Sequence, residues 1–159
     1  MPYIPCRGTA KCLYTLNSNK MINYDIAKEM LEIQGLNYSQ EEDGTLCVAI
    51  FDEKYFPYRV AVFISIIDDA LLVFHSEALG YNPSGNLIEM ANRHNCRSVS
   101  PSCHITDDGK VVFTRALLFT QEVSPIFMLE NVFAPGIFLT FEAFMNFERS
   151  DEEYFKQNN

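Results

Sequence analysis

The chain has 159 residues, of which 48% are hydrophobic, and its 12 basic and 21 acidic side chains give a formal net charge of −9. This length and apolar content are sufficient for a folded domain with its own core, and they exclude a disordered chain. Because a protein with this negative charge repels the phosphate backbone of nucleic acids, we expect no nucleic-acid partner.

Composition divides the chain into three predicted segments. Residues 1–22 are an N-terminal extension, residues 23–148 a single domain, and residues 149–159 a polar C-terminal tail. The five cysteines are an odd number without the spacing of a disulfide framework. They predict reduced thiols and therefore a cytoplasmic location.

The start of the chain has a charge pattern of its own. Residues 1–20 contain three basic side chains and no acidic one, so the rest of the chain carries −9 − 3 = −12. A basic start without acids is also found in mitochondrial transit peptides. Pro2, Pro5 and Gly8 oppose the amphipathic helix that such a peptide requires, and we favour a plain extension.

The first half of the domain is predicted to be a helix followed by four strands. Asn23 can cap a helix that runs to about residue 34, with Gly35 as the stop signal. Asp43-Gly44 and Asp68-Asp69 mark turns. The strands are predicted at residues 36–42, 45–51, 60–67 and 71–77. Their short links indicate an antiparallel meander, in which strand 60–67, apolar on both faces, is central.

The second half is predicted to be a helix, a hairpin and a long helix. Asp108-Gly109 is a hairpin signal between strands at residues 98–106 and 110–119. Ser124 caps a third helix, which runs to about Phe147 with a kink at Pro135-Gly136. The second helix covers residues 86–95, with four residues facing the core: Leu87, Ile88, Met90 and Ala91. Helices and strands in separate blocks predict an α+β fold.

No pattern of residues predicts catalysis, a cofactor or a metal, and we expect a protein that is not an enzyme. The loop at residues 80–85 has the glycine spacing of a phosphate-binding loop, but Asn86 and Leu87 replace the required Lys and Ser/Thr. The one cluster with metal-ligating side chains lacks zinc-site spacing and consists of His94, Cys96, Cys103 and His104. Cys103 and His104 are adjacent on a predicted strand and should face opposite sides.

The third helix is the most unusual segment. Between residues 123 and 141 its one charged residue is Glu130, a length and composition that could span a bilayer. Prolines and polar residues within it favour a helix without membrane insertion. Its apolar side chains exceed the stripe that one buried face needs. Either the helix is enclosed in its own chain, or part of it forms a homodimer or partner interface, with candidate residues Phe133, Ile137, Phe138, Phe141, Phe144 and Met145.

Residues 23–148 resemble the YbjN family, the proteins labelled bacterial sensory transduction regulators. The resemblance lies in the short helix around Asn92 and Asn95, the hairpin turn at Asp108-Gly109, and the closing helix at residues 124–147. It implies a fold similar to the type III secretion chaperones, which are small acidic α+β proteins, usually homodimers, that hold partner polypeptides. The family has no catalytic residues to carry over to this chain.

Three functions are compatible with these features. The first is a non-enzymatic, chaperone- or regulator-like protein-binding module that acts as a homodimer and takes a protein client, with a preference for basic partners. The second is an acidic inhibitor or immunity-type protein that blocks a basic enzyme surface. The third is an unrecognised small-ligand-binding protein, which would require a deep pocket with convergent polar groups.

Overall fold

A computed structural model of the protein describes residues 18–98 and 100–158. The predicted N-terminal extension, the transit-peptide alternative, Cys6 and Cys12 therefore lie wholly or largely outside the described residues. Near the first described residue, Lys20 pairs with Val123 in an isolated antiparallel bridge. The Nζ atom of Lys20 lies 3.1 Å from the carboxylate of Glu29.

The predicted α+β class is confirmed. The described residues contain two shorter helices, α1 and α2, and a long C-terminal helix. Six strands form one antiparallel sheet in the order β1-β2-β3-β4-β6-β5. In chain order the elements are α1 (Tyr24–Ile33), β1 (Tyr38–Gln40), β2 (Leu46–Asp52), β3 (Phe56–Ile67), β4 (Leu71–Leu79), α2 (Leu87–Arg97), β5 (Ser102–Ile105) and β6 (Val111–Leu118).

Local signals place the turns and the helix starts where the sequence predicts them. Asn23 Oδ1 accepts a hydrogen bond of 2.9 Å from the Ile26 N–H and so caps α1. Asp68 and Asp69 both have positive φ, 52° and 51°, as the central positions of a type I′ turn require. Gly109, with φ of 81°, allows the turn between β5 and β6.

The second hairpin joins the meander through β6. β6 pairs with β4, with Phe74 opposite Arg115, and β5 lies at the edge. α2 forms the connection between β4 and β5, and its side chains Met90 and Ala91 are buried. The long β3 of the meander occupies an interior position in the sheet, as its apolar sequence predicts.

All described helices pack on one face of the sheet, which we call the inner face. The buried side chains of the helices and alternate strand residues form a single hydrophobic core. The strand residues in this core are Leu46, Val48, Phe56, Val60, Val62, Ile64, Leu72, Phe74, Cys103, Val111 and Phe113. The opposite face, the outer face, carries the residues between them, because side chains alternate along a strand.

The prediction that Ile88 faces the core is wrong. Ile88 is 70% exposed. The buried stripe of α2 follows Leu87, Met90 and Ala91, at spacings of three and four, and position 88 lies about 100° away from residue 87 around the helix. Because α2 lies over the edge strand β5, one narrow face of it is covered.

The C-terminal helix, which we define as residues 125–158, extends beyond its predicted end at Phe147. It begins with α3 (Pro125–Phe127), continues through a π-helical turn (Met128–Phe133) and ends as α4 (Ala134–Asn158). Most of the predicted polar tail is therefore helical. The polar residues there form further helical turns because side chains such as Asp151 contact the rest of the protein.

The irregularity in this helix is a π-helical turn immediately before Pro135, next to the predicted kink. The Ala134 N–H donates to the Leu129 carbonyl, five residues earlier. Pro135 has no N–H to donate to the Asn131 carbonyl, four residues earlier. That carbonyl accepts a hydrogen bond of 3.2 Å from Arg115 Nη2 on β6, which ties the turn to the sheet.

Gly136 is the point of closest approach between the helix and the sheet. A Cβ atom at this position would lie 2.5–2.7 Å from three ring carbons of Phe74. Phe74 is completely buried on β4, so its ring has little space to move. A side chain at position 136 would therefore push the helix away from the sheet.

We expect Gly136→Ala to lower the free energy of unfolding by roughly 1–3 kcal/mol, the usual cost of overpacking a core. Helix propensity alone would favour the substitution by about 1 kcal/mol, so the sign of the effect tests the contact. Urea denaturation followed by circular dichroism measures it.

Asn146→Ala is the matched control, because Asn146 is exposed on the same helix. It should leave stability unchanged or slightly raised. Phe74→Leu combined with Gly136→Ala should recover part of the loss, since the smaller side chain makes room. A Gly136→Ala protein more stable than wild type would contradict the role of this contact.

Candidate functional site

The structure places the six predicted interface residues of the C-terminal helix mostly in the core of the chain itself. Phe133, Ile137 and Phe144 are 0% exposed and Phe141 is 8% exposed. Phe138 and Met145 are partly exposed. Phe133, Ile137, Phe141 and Phe144 are thus enclosed by their own chain, which is the first of the two alternatives for this helix. In this fold their side chains do not reach the surface where a partner could contact them.

Aromatic contacts explain why the helix needs so many phenylalanines. The Phe144 ring lies 4.7 Å from that of Phe113 on β6 and 5.8 Å from that of Phe56 on β3, measured between centroids. The Phe133 ring meets Phe74 on β4 at 5.6 Å, edge to face. Such pairs add specific packing to simple burial. One helix thus contacts three strands through a broad aromatic surface.

Among the described residues, one helical stretch, Pro125–Glu153, passes a test for membrane spans by length and composition. Its most apolar window has a mean hydropathy of 1.4, and 44% of that window is buried in the protein. Core helices of soluble proteins pass the same test. The absence of membrane insertion stays a prediction.

The outer face of the sheet is a surface that sequence reasoning missed. No described helix packs on it, yet it carries many apolar side chains. Four of the large exposed hydrophobic residues belong to it: Phe51 at 53% exposure, Ile67 at 49%, Leu79 at 54% and Leu118 at 67%. In the middle of the sheet, the smaller Ala61 and Val112 are buried without belonging to the main core.

Strand pairing gathers some of these residues into a continuous patch. Ile67 pairs with Leu71 across the β3–β4 turn, and Leu71 pairs with Leu118 on β6. These three side chains share the outer face at one end of the sheet, and we call them the turn-end patch. Exposed apolar groups that adjoin in this way are typical of interaction surfaces rather than of isolated surface residues.

The outer face also has little charge. Within the strands, the formally charged residues that alternate onto it are Arg59 and Glu77. Glu77 has a neighbour, His75, whose Nε2 lies 3.3 Å from the Glu77 carboxylate. The helical layer, by contrast, carries acidic side chains on α1, α2 and the C-terminal helix. The acidic side chains thus lie mainly on the helices and in the turns, among them Asp68 and Asp69 beside the turn-end patch, rather than on the strands of the outer face.

The residues considered for metal or nucleophilic chemistry do not converge. Cys103 is 3% exposed on the inner face, whereas His104 is exposed and its Nε2 lies 3.1 Å from Ser102 Oγ. His94 Nε2 lies 2.8 Å from the Pro101 carbonyl oxygen. Within residues 18–98 and 100–158, no group of three His, Cys, Asp or Glu side chains is placed to hold a metal ion.

The loop at residues 80–85 is engaged by the chain itself. The Ser84 N–H donates to the Asp151 carboxylate at 3.0 Å. Asn86 acts as the N-cap of α2, and its Oδ1 accepts from the Glu89 N–H at 3.2 Å. Leu87 packs against the core. The Asp151 carboxylate thus already accepts the hydrogen bond of one backbone N–H of the loop. Asn86 and Leu87 also lack the side chains that a phosphate-binding loop requires.

The signal for the outer face was present in strand β3. Its sequence is apolar on both alternating faces, which predicts a central strand. The structure confirms the interior position of β3, and the described helices cover its inner face.

No protein-family model matches this chain, and no curated protein matches it. The resemblance to the YbjN family consequently stays a prediction.

The thiols should differ strongly in reactivity. Burial raises the pKa of Cys103 to about 12, and burial together with the nearby Glu41 raises that of Cys47. Cys96 is exposed on α2. Because the thiolate is the reactive form, iodoacetamide at pH 8 should alkylate Cys96 far faster than Cys103. Peptide mapping by mass spectrometry measures both rates in one sample.

Denaturation provides the internal control for this experiment. In urea the alkylation rates of Cys96 and Cys103 should become similar, because the burial of Cys103 is lost. Equal rates for the two cysteines in the folded protein would contradict the position of Cys103 in the core.

Proposed function

We propose that this chain is a non-enzymatic protein-binding module, chaperone- or regulator-like, that acts as a homodimer in the cytoplasm. The single observation that carries the proposal is the outer face of the sheet, which is apolar, low in charge and free of any described helix. In an isolated chain this surface exposes Phe51, Ile67, Leu79 and Leu118 to water. Covering them by another protein surface is favourable through the hydrophobic effect.

The occupant that we propose for this face is a second copy of the chain. Strands at a spacing of about 4.8 Å and a rise of about 3.3 Å per residue give the face a footprint on the order of 600 Å². Two such footprints reach the roughly 1,200–2,000 Å² that stable protein interfaces bury. Face-to-face packing of two sheets is a common way of building a core.

Charge also favours a second copy at the outer face. Two chains of net charge −9 repel each other, and the repulsion is strongest where carboxylates meet. The helices carry ten of the 21 acidic residues and the turns and loops carry nine, whereas Glu77 is the one strand carboxylate on the outer face. An approach through the strands of the outer face therefore brings few like charges together, apart from Asp68 and Asp69 beside the turn-end patch.

A dimer of this kind leaves both helical layers pointing outward. Their acidic side chains would then attract a basic protein client. The edge strands β1 and β5 have 3 and 4 residues, which offers little length for a client that adds as a further strand. The same acidic layer is what an inhibitor or immunity-type protein would present to a basic enzyme. That alternative predicts one tight, salt-sensitive partner.

The resemblance to the YbjN family and to the type III secretion chaperones is consistent with this proposal at the level of architecture. A small acidic α+β domain closed by a long helix is common to them, but a shared architecture supports a function by analogy alone. Cys47, Cys96 and Cys103 are free thiols in the structure, which is compatible with a reducing compartment.

We expect Leu118→Asp to abolish the dimer. A carboxylate in the turn-end patch would face its own symmetry mate across the interface, or lie against apolar side chains, and either arrangement costs several kcal/mol. Wild-type protein should elute at twice the mass of the chain in size-exclusion chromatography with light scattering. The Leu118→Asp protein should elute as a monomer with an unchanged circular dichroism spectrum.

Ile88→Asp is the matched control, because Ile88 is exposed to a similar degree but lies on α2. It should remain dimeric. Phe51→Asp, at the opposite end of the outer face, should weaken the dimer as well. A wild-type protein that stays monomeric at millimolar concentration would refute the homodimer, and a dimer unaffected by both outer-face substitutions would refute the assignment of its interface.

A further inference from the structure

A cleft with a volume of about 530 Å³ lies between α2 and the second half of the C-terminal helix. Its apolar lining includes Met90 from α2 and Phe147 from the C-terminal helix, which are 4% and 3% exposed. α2 and the C-terminal helix form its two walls, and Met90 and Phe147 connect these walls to the hydrophobic core. The cleft is within the size range of sites that enclose small organic molecules.

Arginines line both walls of this cleft. Arg93 and Arg97 come from α2 and Arg149 from the C-terminal helix, which is three of the six arginines in a chain of net charge −9. Arg93 pairs with Glu89 on its own helix. The ion pairs among the described residues do not include Arg97 or Arg149. Two guanidinium groups without a carboxylate partner in the described part of the chain thus face one cavity.

The two walls differ in their acidic residues. The α2 wall contributes Arg93, His94 and Arg97 to the lining and no carboxylate. The opposite wall contributes Glu142 and Glu153 beside Arg149. A single anionic group is therefore most favourable between the α2 wall and Arg149, whereas a ligand with several negative charges would also meet the two glutamates. The arrangement selects a small, compact anion over a polyanion.

We infer that this cleft binds a small organic anion, with its carboxylate or phosphate head group held by Arg97 and Arg149 and its apolar body against the partly exposed Leu139, beside the buried Met90 and Phe147. A guanidinium group offers paired N–H donors that match the oxygens of both head groups. The apolar lining supplies the remaining affinity by removing the body of the ligand from water. This site lies on the helical layer, so it is separate from the proposed dimer surface.

The inference is tested on the full 159-residue chain with three probes that share one aromatic body. These are 2-naphthoate, 2-naphthyl phosphate and the neutral 2-naphthalenemethanol, titrated by calorimetry and by amide chemical shifts. We expect at least one anionic probe to bind with a Kd below about 1 mM and at least tenfold more tightly than the neutral probe. Comparison of the two anions shows whether a carboxylate or a phosphate head is preferred.

Variants assign the binding to the arginines. Arg97→Gln and Arg149→Gln should each weaken the anionic probe about tenfold, as expected for the loss of one charge-assisted hydrogen bond. Both side chains are exposed, so the variants should fold normally. Lys54→Gln is the matched control, because Lys54 is an exposed basic residue in the turn between β2 and β3, outside both the cleft and the strands of the outer face. It should bind like the wild type.

Three results would overturn the inference: no binding of either anion at millimolar concentration, equal affinity for anionic and neutral probes, or wild-type affinity in both arginine variants. Tripolyphosphate that binds more tightly than 2-naphthyl phosphate would also overturn it, since the glutamates should disfavour a polyanion. The oligomeric state of the variants, measured in the same samples, separates this site from the proposed dimer.

Discussion

The contact between Gly136 and the ring of Phe74 sets how closely the C-terminal helix approaches the sheet. Because position 136 has no Cβ, the helix backbone can lie directly over β4. That approach lets Phe133 and Phe144 pack against Phe74 and Phe113 on the inner face and form the aromatic contacts of the core. The π-helical turn before Pro135 lies close to this contact, and the hydrogen bond from Arg115 to the Asn131 carbonyl ties the turn to β6.

This packing gives the protein two surfaces with different chemistry. The helices cover the inner face and present their charged residues to solvent, whereas the outer face keeps apolar side chains and few charges. An acidic chain can thereby remain soluble and still offer one surface that a second copy can cover without facing many carboxylates. The arginine-lined cleft between α2 and the C-terminal helix is a local exception within the acidic layer.

Local structure could be predicted where one residue and its immediate neighbours determine it. The three helix starts follow from capping side chains, since Asn23, Asn86 and Ser124 each accept a hydrogen bond from the backbone three residues on. The end of the C-terminal helix could not be predicted in this way. Asp151 contacts Ser84, 67 positions earlier in the chain, and sequence periodicity contains no information about such a contact.

The α+β class, the turns, the caps of two helices and the acidic character can be predicted from the sequence, because they depend on residue type and short spacings. The sequence also indicated an excess of apolar residues over the needs of one amphipathic helix. The tertiary structure alone decided where that excess lies. Phe133 and Phe144 of the C-terminal helix are buried against three strands of their own sheet, and the outer face is the apolar surface that no described helix covers. Alternation along a strand shows that two faces are apolar, but which face the helices cover depends on long-range packing.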